Sequence, residues 1–327
     1  MIILAISAIL ILCILLRIYI RQICFRCKSN VCLSGKTALI TGGSLGIGYH
    51  IVCNLASRGC KVIVADEIIN EEIKDAIYKE TKSDKVSFEY VDLASFASVR
   101  KLAEKINSSV TKLDIFIYNA GIGKCYGQLS KDGLNKPMQI NYYSAFLLTH
   151  LLVGLLKKSS SARIIFTSSG LSFFNAVSLK KNKLDVDIGS MIHDYNTSKF
   201  CMIAAADKLS NLLQKYNITS NSYHPGIVKT RILSQFRGDG MQTCEWLMNQ
   251  FLVIASFLAG KSPEEGAQTG IHLACANEVE NVTGKFFGEG VPRFKPYQAY
   301  NKKLCDALWR HSEEVVQLKP EEMLASS

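Results

Sequence analysis

The sequence predicts an α/β fold: a single domain on a doubly wound parallel sheet, behind an N-terminal transmembrane anchor helix. Three observations predict it. Short apolar, β-rich runs alternate with helical stretches from Thr37 onward, the pattern of parallel strands covered on both faces. A glycine-rich turn, Thr41–Gly48, joins the first strand to the first helix. The opening run MIILAISAILILCILLRIYI carries one charged side chain, Arg17.

Composition excludes several classes. At 327 residues, 48% hydrophobic and 20% charged, the chain is neither disordered nor fibrous. Lys+Arg outnumber Asp+Glu by 38 to 28, a formal charge of +10. We find no run of Lys/Arg interleaved with aromatics, so nucleic acid is not an expected partner. The eleven cysteines follow no framework spacing. Several (Cys13, Cys53, Cys201, Cys275) lie in apolar runs, which favours a reducing compartment.

The N-terminal run would span about 30 Å as a helix, enough for a bilayer core. Arg17 is near its end, within snorkelling reach of headgroups. Arg21, Arg26, Lys28 and Lys36 follow, and no charged side chain precedes Arg17. The positive-inside rule therefore leaves the domain facing the cytoplasm, on a membrane for which the endoplasmic reticulum is favoured. A cleaved signal peptide is the rival reading, although a basic n-region and a small-residue cleavage site are missing. The expected organisation is an anchor over 1–22, a juxtamembrane linker over 23–34, a domain over 35–318 and a polar, mobile tail over 319–327. In the linker, Cys24 and Cys27 are either acylated or without special role. Sequons occur at Asn107, Asn196, Asn217 and Asn281.

The strands expected are Thr37–Ile40, Lys61–Ala65, Val86–Val91, Leu113–Tyr118, Arg163–Thr167 and Thr219–His224. The helices expected are Gly48–Arg58, Ser98–Ile106, Met138–Lys157, Tyr195–Tyr216 and Pro263–Ala276. Glycines in the first strand-to-helix turn let backbone N–H groups approach a pyrophosphate at the helix N-terminus. This is the Rossmann-type arrangement, and it makes Gly42, Ser44, Leu45, Gly46, Ile47 and Gly48 candidate dinucleotide contacts. The next strand ends in Asp66, where a carboxylate accepts the adenosine ribose hydroxyls and repels a 2′-phosphate. Glu67 adds charge, and no Arg or Lys stands nearby in sequence, so NAD is expected over NADP.

Thr41–Gly48, Asn119-Ala120-Gly121 and Tyr195-x-x-x-Lys199 together resemble the short-chain dehydrogenase/reductase superfamily. The segments DGLNKPMQINYYSAFLLTHLL, ARIIFTSSG, HPGIVKT, SPEEGAQTGIHLA and LCDALWRHSEEVVQL narrow the resemblance to its retinol-dehydrogenase-like branch. Together they cover nearly all of Gly35 to Leu318.

Tyr195 and Lys199, four apart on an expected helix, project from one face. A phenol titrates near pH 10; a neighbouring ammonium and the positive nicotinamide ring would lower it, at about 1.4 kcal/mol per unit, towards the working range of an acid/base. The resemblance implies that Lys199 also holds the nicotinamide ribose. It implies too that Ser169 hydrogen-bonds the substrate oxygen, with Ser168 the adjacent alternative, and that Asn141 orders a water for proton relay. By the same resemblance, Asp92 and Leu93 contact adenine, a turn carboxylate being the alternative for Asp92. Asn119, Ala120 and Gly121 admit the adenosine portion. Pro225, Gly226, Val228 and Thr230 form the nicotinamide-side loop. Dimers through Met138–Lys157 and Tyr195–Tyr216 are implied as well.

Two positions depart from the branch. Glu67 stands where relatives carry Arg, and Tyr49 where they carry Lys, which puts an NADPH preference in doubt. The spacing from Ser169 to Tyr195 includes an insertion, Gly170–Ile192, with an apolar LSFF and a basic LKKNK, expected at the substrate mouth. Trp246, Leu247, Phe251, Leu252, Ile254, Phe257 and Leu258 repeat at helical spacing; they form either an apolar substrate lid or a core or dimer face. No His constellation suggests a metal. The function expected is interconversion of a lipophilic alcohol (retinol, a steroid, an isoprenoid or a fatty alcohol) and its carbonyl. The alternatives are an NADPH-dependent carbonyl reductase and a non-catalytic nucleotide-binding membrane scaffold.

Overall fold

A computed structural model describes residues 17–18, 24–123, 128–180, 183–186, 191–229, 250, 256 and 260–324. The expected anchor (except Arg17 and Ile18), Thr230 and nearly all of the apolar lid segment lie outside the described residues. Among the described residues, no helix is long and apolar enough to cross a membrane.

The alternation of apolar runs and helices builds a Rossmann-like sheet. β1 (Thr37–Thr41) is buried throughout and pairs in parallel with β2 (Lys61–Asp66) on one side and β4 (Ile115–Tyr118) on the other. β2 continues to β3 (Val86–Tyr90), and β4 continues through β5 (Ala162–Thr167) to β8 (Ile218–Tyr223) and β9 (Phe286–Gly288), all in parallel. A last strand, β10 (Val291–Arg293), is antiparallel to β9. The order is β10-β9-β8-β5-β4-β1-β2-β3, so the direction of winding reverses between β1 and β4. Ligands bind at such a switch point, beyond the carboxyl ends of the strands.

The helices fill both faces for local reasons. α1 (Gly46–Ser57) follows the glycine turn, and α2 (Glu71–Thr81) is capped by Asn70. α3 (Phe96–Ser109) buries Val99, Leu102, Ala103 and Ile106 at helical spacing and is capped by Ser95. α4 (Ser144–Leu156) is apolar all round and almost wholly buried. A hairpin, β6 (Val177–Lys180) and β7 (Lys183–Val186), precedes α5 (Met191–Leu213). α6 (Pro263–Cys275) opens with a Ser262/Glu265 capping box, and α7 (Lys302–Val315) buries Leu304, Leu308 and Trp309. α2 escapes a periodicity search because Ile77 is its one buried residue.

Three expectations are corrected. The helix expected over Met138–Lys157 is broken: one turn at Lys136–Met138, a π-helical turn at Gln139–Tyr143, then α4. The 23–34 segment is not a free linker from residue 24 on. Leu33 is core and donates its N–H to Arg58, Cys27 N–H reaches Gln268, and the Cys27 thiol is hydrogen-bonded to Cys275 and His272. Nor is the tail free up to residue 324. Glu322 pairs with Arg100 at 2.5 Å and Leu324 packs on the core. α7 packs on α4 and α5: the Trp309 ring meets Phe146 edge-on at 4.7 Å, Tyr142 bonds Ser312, and Lys208 pairs with Asp306.

One buried carboxylate ties the amino ends of the central strands. Asp114, almost fully buried, accepts the Thr37 N–H at 2.9 Å and the Ser159 hydroxyl at 2.7 Å, with Lys36 and Lys112 each at 3.2 Å. Burial opposes its charge, but these donors outweigh it and hold the group below its usual range. Asp114→Ala should lower stability by about 2–4 kcal/mol in urea unfolding. In the wild type the lowered carboxylate stabilises above the ordinary Asp range near pH 4, and that contribution disappears as pH falls through the folded value.

Candidate active site

The turns leaving β1 and β4 are laced together. Thr41 Oγ1 accepts the N–H groups of Asn119 and Ala120 at 3.2 and 3.3 Å, and Asn119 Nδ2 donates to Gly42 O at 2.9 Å. The approach is too close for side chains. A Cβ on Gly42 (φ 65°) would fall 2.7 Å from Ala120 Cα, and one on Gly48 would fall 2.0 Å from Gly42 O. Leu45 heads α1 without a capping side chain, leaving the N-terminal N–H groups aimed outward. Ser44 Oγ is buried without a hydrogen-bond partner, and Asp66 Oδ2 accepts the Ser44 N–H at 3.0 Å. Free amides at a helix N-terminus, an orphan hydroxyl and a carboxylate at the end of β2 fit the pyrophosphate and ribose of a dinucleotide.

The expected catalytic residues meet at Gly121. A Cβ there would lie 3.0 Å from Lys199 Nζ and 3.3 Å from Asn141 Oδ1, so the glycine provides the space in which they converge. Lys199 Nζ donates to Thr167 O at 2.8 Å and lies 5.8 Å from the Tyr195 ring centre. The Tyr195 hydroxyl is hydrogen-bonded to Ser169. Ser168, the alternative left open by the sequence, donates to Lys199 O at 2.7 Å and anchors the helix instead.

Asn141 sits in the π-helical turn. Its Oδ1 accepts the Ile122 N–H at 2.8 Å, while Nδ2 donates to Ile122 O and Ser198 Oγ at 3.0 and 2.9 Å. Both amide protons are engaged, so any water it orders is held by lone pairs or backbone. Ser198, which passes its own proton to Tyr195 O, was overlooked although it lies inside the Tyr195–Lys199 motif.

The electrostatics also differ from expectation. Among the chain's own groups Lys199 does not lower Tyr195. Burial pushes the phenol above its ordinary value, with the Ser169 hydrogen bond opposing, and burial pulls Lys199 down to about 7. Desolvation wins because both groups are fully enclosed and the lysine's hydrogen bond goes to a carbonyl.

The flanks are mixed. Asp92 plays the turn role left open for it, accepting the Ala94 N–H at 2.8 Å and pairing with Lys131 at 2.7 Å. Leu93 is buried, and its carbonyl accepts the Ser144 hydroxyl. Lys131 reaches Asp92 from beyond β4, a partner that sequence distance had hidden. Tyr49 packs towards α2, its hydroxyl 3.5 Å from Ala76 O. The Pro225–Val228 loop is braced by Lys261: its N–H donates to Ile227 O, its stem lines Gly226 (φ 86°), and its ammonium pairs with Glu289. Sequence reading missed Lys261 and Glu289, which carry no motif signal.

In the insertion, Phe173 and Phe174 are exposed just after Ser169. Asn196 of the buried motif is 1% exposed and donates to Phe174 O. His150 is buried and held to about 4 by its burial. Among the described residues no cluster of His, Cys, Asp or Glu could hold a metal.

Because Lys199 loses its proton more easily folded than unfolded, the unfolded state binds more protons between about pH 7 and its ordinary value near 10.4. Wild-type stability should therefore rise relative to Lys199→Met as pH increases through that window, by up to about 1.4 kcal/mol per pH unit. Urea unfolding of both at pH 7 and pH 9.5 checks this (~ values set by that window); parallel pH profiles would refute it.

A family model of short chain dehydrogenases matches residues 36–239. Retinol dehydrogenase 13 of Mus musculus is 33% identical over 301 residues, covering 89% of this chain and 87% of that protein. Retinol dehydrogenase 12 of Bos taurus is 31% identical over 296 residues, covering 90% of each. A short chain dehydrogenase of Shigella flexneri, solved with NADP, superposes with a TM-score of 0.60 at 23% identity, over 80% of this chain and 100% of its own, which shows the common fold. The laced glycine turn, the shared fold and these relatives agree: the chain belongs to the short-chain dehydrogenase/reductase superfamily, in its retinol-dehydrogenase-like branch, and is an NAD(P)-dependent oxidoreductase.

Proposed function

We propose that the enzyme interconverts a lipophilic alcohol and its aldehyde or ketone, with NAD the preferred cofactor and oxidation the favoured direction. The observation that carries this reading is the meeting of Lys199 and Asn141 at Gly121, beside the glycine turn, with the Tyr195 ring centre 5.8 Å from the lysine and its hydroxyl hydrogen-bonded to Ser169. Gly42 to Gly48 and Asp66 would hold the pyrophosphate and adenosine ribose, and Asn119, Ala120 and the Pro225–Val228 loop would line the rest. Thr230 is assigned to that loop from its motif alone.

Bound at the glycine turn, an oxidised dinucleotide would supply the acceptor for the hydride that leaves the alcohol carbon. In oxidation the substrate hydroxyl would give its proton to Tyr195 as Tyr195 passes its own phenolic proton towards the neutral form of Lys199. Ser169, the hydrogen-bond partner of Tyr195, would turn its hydroxyl to the same substrate oxygen. Lys199, at about 7, is poised to share the proton and to hold the nicotinamide ribose. Asn141 positions the lysine's surroundings by fixing Ile122 and Ser198.

Exposed Phe173 and Phe174 beside Ser169 support an apolar substrate such as retinol, a steroid, an isoprenoid or a fatty alcohol. Residues 1–22 would anchor the enzyme in a membrane, with the endoplasmic reticulum favoured and the domain facing the cytoplasm. The burial of Asn196 supports this side, since a glycan there could not coexist with the folded site.

Tyr195→Phe should cut turnover at least about 100-fold while cofactor affinity stays within about threefold, read by steady-state kinetics and by fluorescence titration of the reduced dinucleotide. Near-normal turnover would remove Tyr195 from its role. Asp66→Arg combined with Glu67→Ala should move the NADP/NAD ratio of kcat/KM by at least about tenfold, tested across a panel of lipid alcohols; an unchanged ratio would sink the NAD assignment.

A further inference from the structure

The sheet ends in a surface that the active site does not use. β10 is the edge strand, paired only with β9, and its three residues are exposed. Beyond it Phe294 is 85% exposed and Tyr297 87%, with Tyr300 also exposed. Large aromatics clustered in water mark an interaction surface. From Gly290 to Lys303 the sequence GVPRFKPYQAYNKK holds four cations and no acidic residue. Its cations and aromatics are spaced too widely to form a Lys/Arg run in the sequence. Lys295 turns inward to Asp207 at 2.6 Å and Arg293 Nε donates to Gly288 O at 3.2 Å, while Arg293, Lys302 and Lys303 are exposed.

The N-terminal segment indicates what covers this surface. The Phe25 ring packs on Gly290, where a Cβ would fall 2.4 Å from ring carbons, and the Phe25 N–H reaches Glu289 Oε2 at 3.1 Å. A chain leaving a bilayer at residue 22 thus has three residues, roughly 10 Å, before it is fastened to the start of β10. An edge so close to the exit point cannot stand far from the lipid. Aromatic rings suit the headgroup level, and Lys and Arg suit anionic phosphates. The exposed Phe173 extends the same side: its ring is 6.3 Å from Phe286, which pairs across the ladder with Arg293.

We propose that β10 and the segment through Lys303 lie on the cytoplasmic surface of the membrane that holds residues 1–22. Phe294 and Tyr297 enter the headgroup layer, and Arg293, Lys302 and Lys303 meet anionic lipid phosphates. The proposal rests on the anchor reading of residues 1–22. Docking would give the domain one fixed orientation and place the Lys261–Glu289 brace of the cofactor loop just behind the lipid-facing edge.

The test uses the full chain in phosphatidylcholine vesicles containing a minor fraction of phosphatidylserine. Photoreactive p-benzoylphenylalanine replaces Phe294, Tyr297, Tyr78 or Tyr90, one at a time. Tyr78 and Tyr90 are exposed too, but Tyr90 ends β3 at the opposite edge of the sheet and Tyr78 lies on α2. Phospholipid adducts, read by mass spectrometry, should be at least about tenfold more abundant at 294 and 297 than at 78 and 90, and should fall when phosphatidylserine is omitted. Equal yields at all four positions, or capture of protein or nucleic acid at 294 and 297, would overturn the proposal. Alkaline carbonate separates the two readings. Release of the chain overturns the anchor and the docking with it, whereas retention without lipid adducts at 294 and 297 overturns the docking alone.

Discussion

The close approach of two turns governs this molecule. Where β1 and β4 end, backbone meets backbone with no room for a side chain, and Thr41 and Asn119 fasten the contact. That contact aims the first turn of α1 away from the sheet and leaves its amides unengaged. It also sets Gly121 at the rim, the gap into which Lys199 and Asn141 reach from different elements. Asp66 is added from the neighbouring strand through the Ser44 N–H. The open glycine turn and the gap shared by Lys199 and Asn141 therefore depend on one steric condition.

Burial rather than charge pairing sets the chemistry of the cluster. Lys199 is enclosed with a carbonyl as its partner, so its ammonium is weakened to the range where it exchanges protons near neutrality. Tyr195 is enclosed with Ser169 and stays protonated. Both groups respond to any charge brought into the site, because the surrounding low dielectric screens it little. The π-helical turn at Gln139–Tyr143 belongs to the same design: it presents Asn141 to Ile122 and Ser198 rather than along a regular helix face.

The outer elements explain how the site is braced. Phe25, Glu289, Lys261 and the loop at Gly226–Val228 form a continuous chain of contacts from the N-terminal segment to the cofactor side. α7 packs on α4 and α5 through Trp309, Ser312 and Asp306, bracing the helix that carries Tyr195 and Lys199.

The sequence by itself determined the six central parallel strands, the glycine turn, Asp66 and the Tyr195-x-x-x-Lys199 spacing. Each is a local pattern whose physics acts within a few residues: apolar periodicity, freedom at positive φ, a shared helix face. The tertiary structure alone decided the separate partners of Ser168 and Ser169, those of Asn141, the pairing of Lys131 with Asp92 and the docking of residues 24–33. α2 and β10 were likewise illegible, the one with a single buried residue and the other three residues long. These depend on groups far apart in the chain meeting in a desolvated space, where the burial that shifts Lys199 and Tyr195 exists only once the sheet has closed around them.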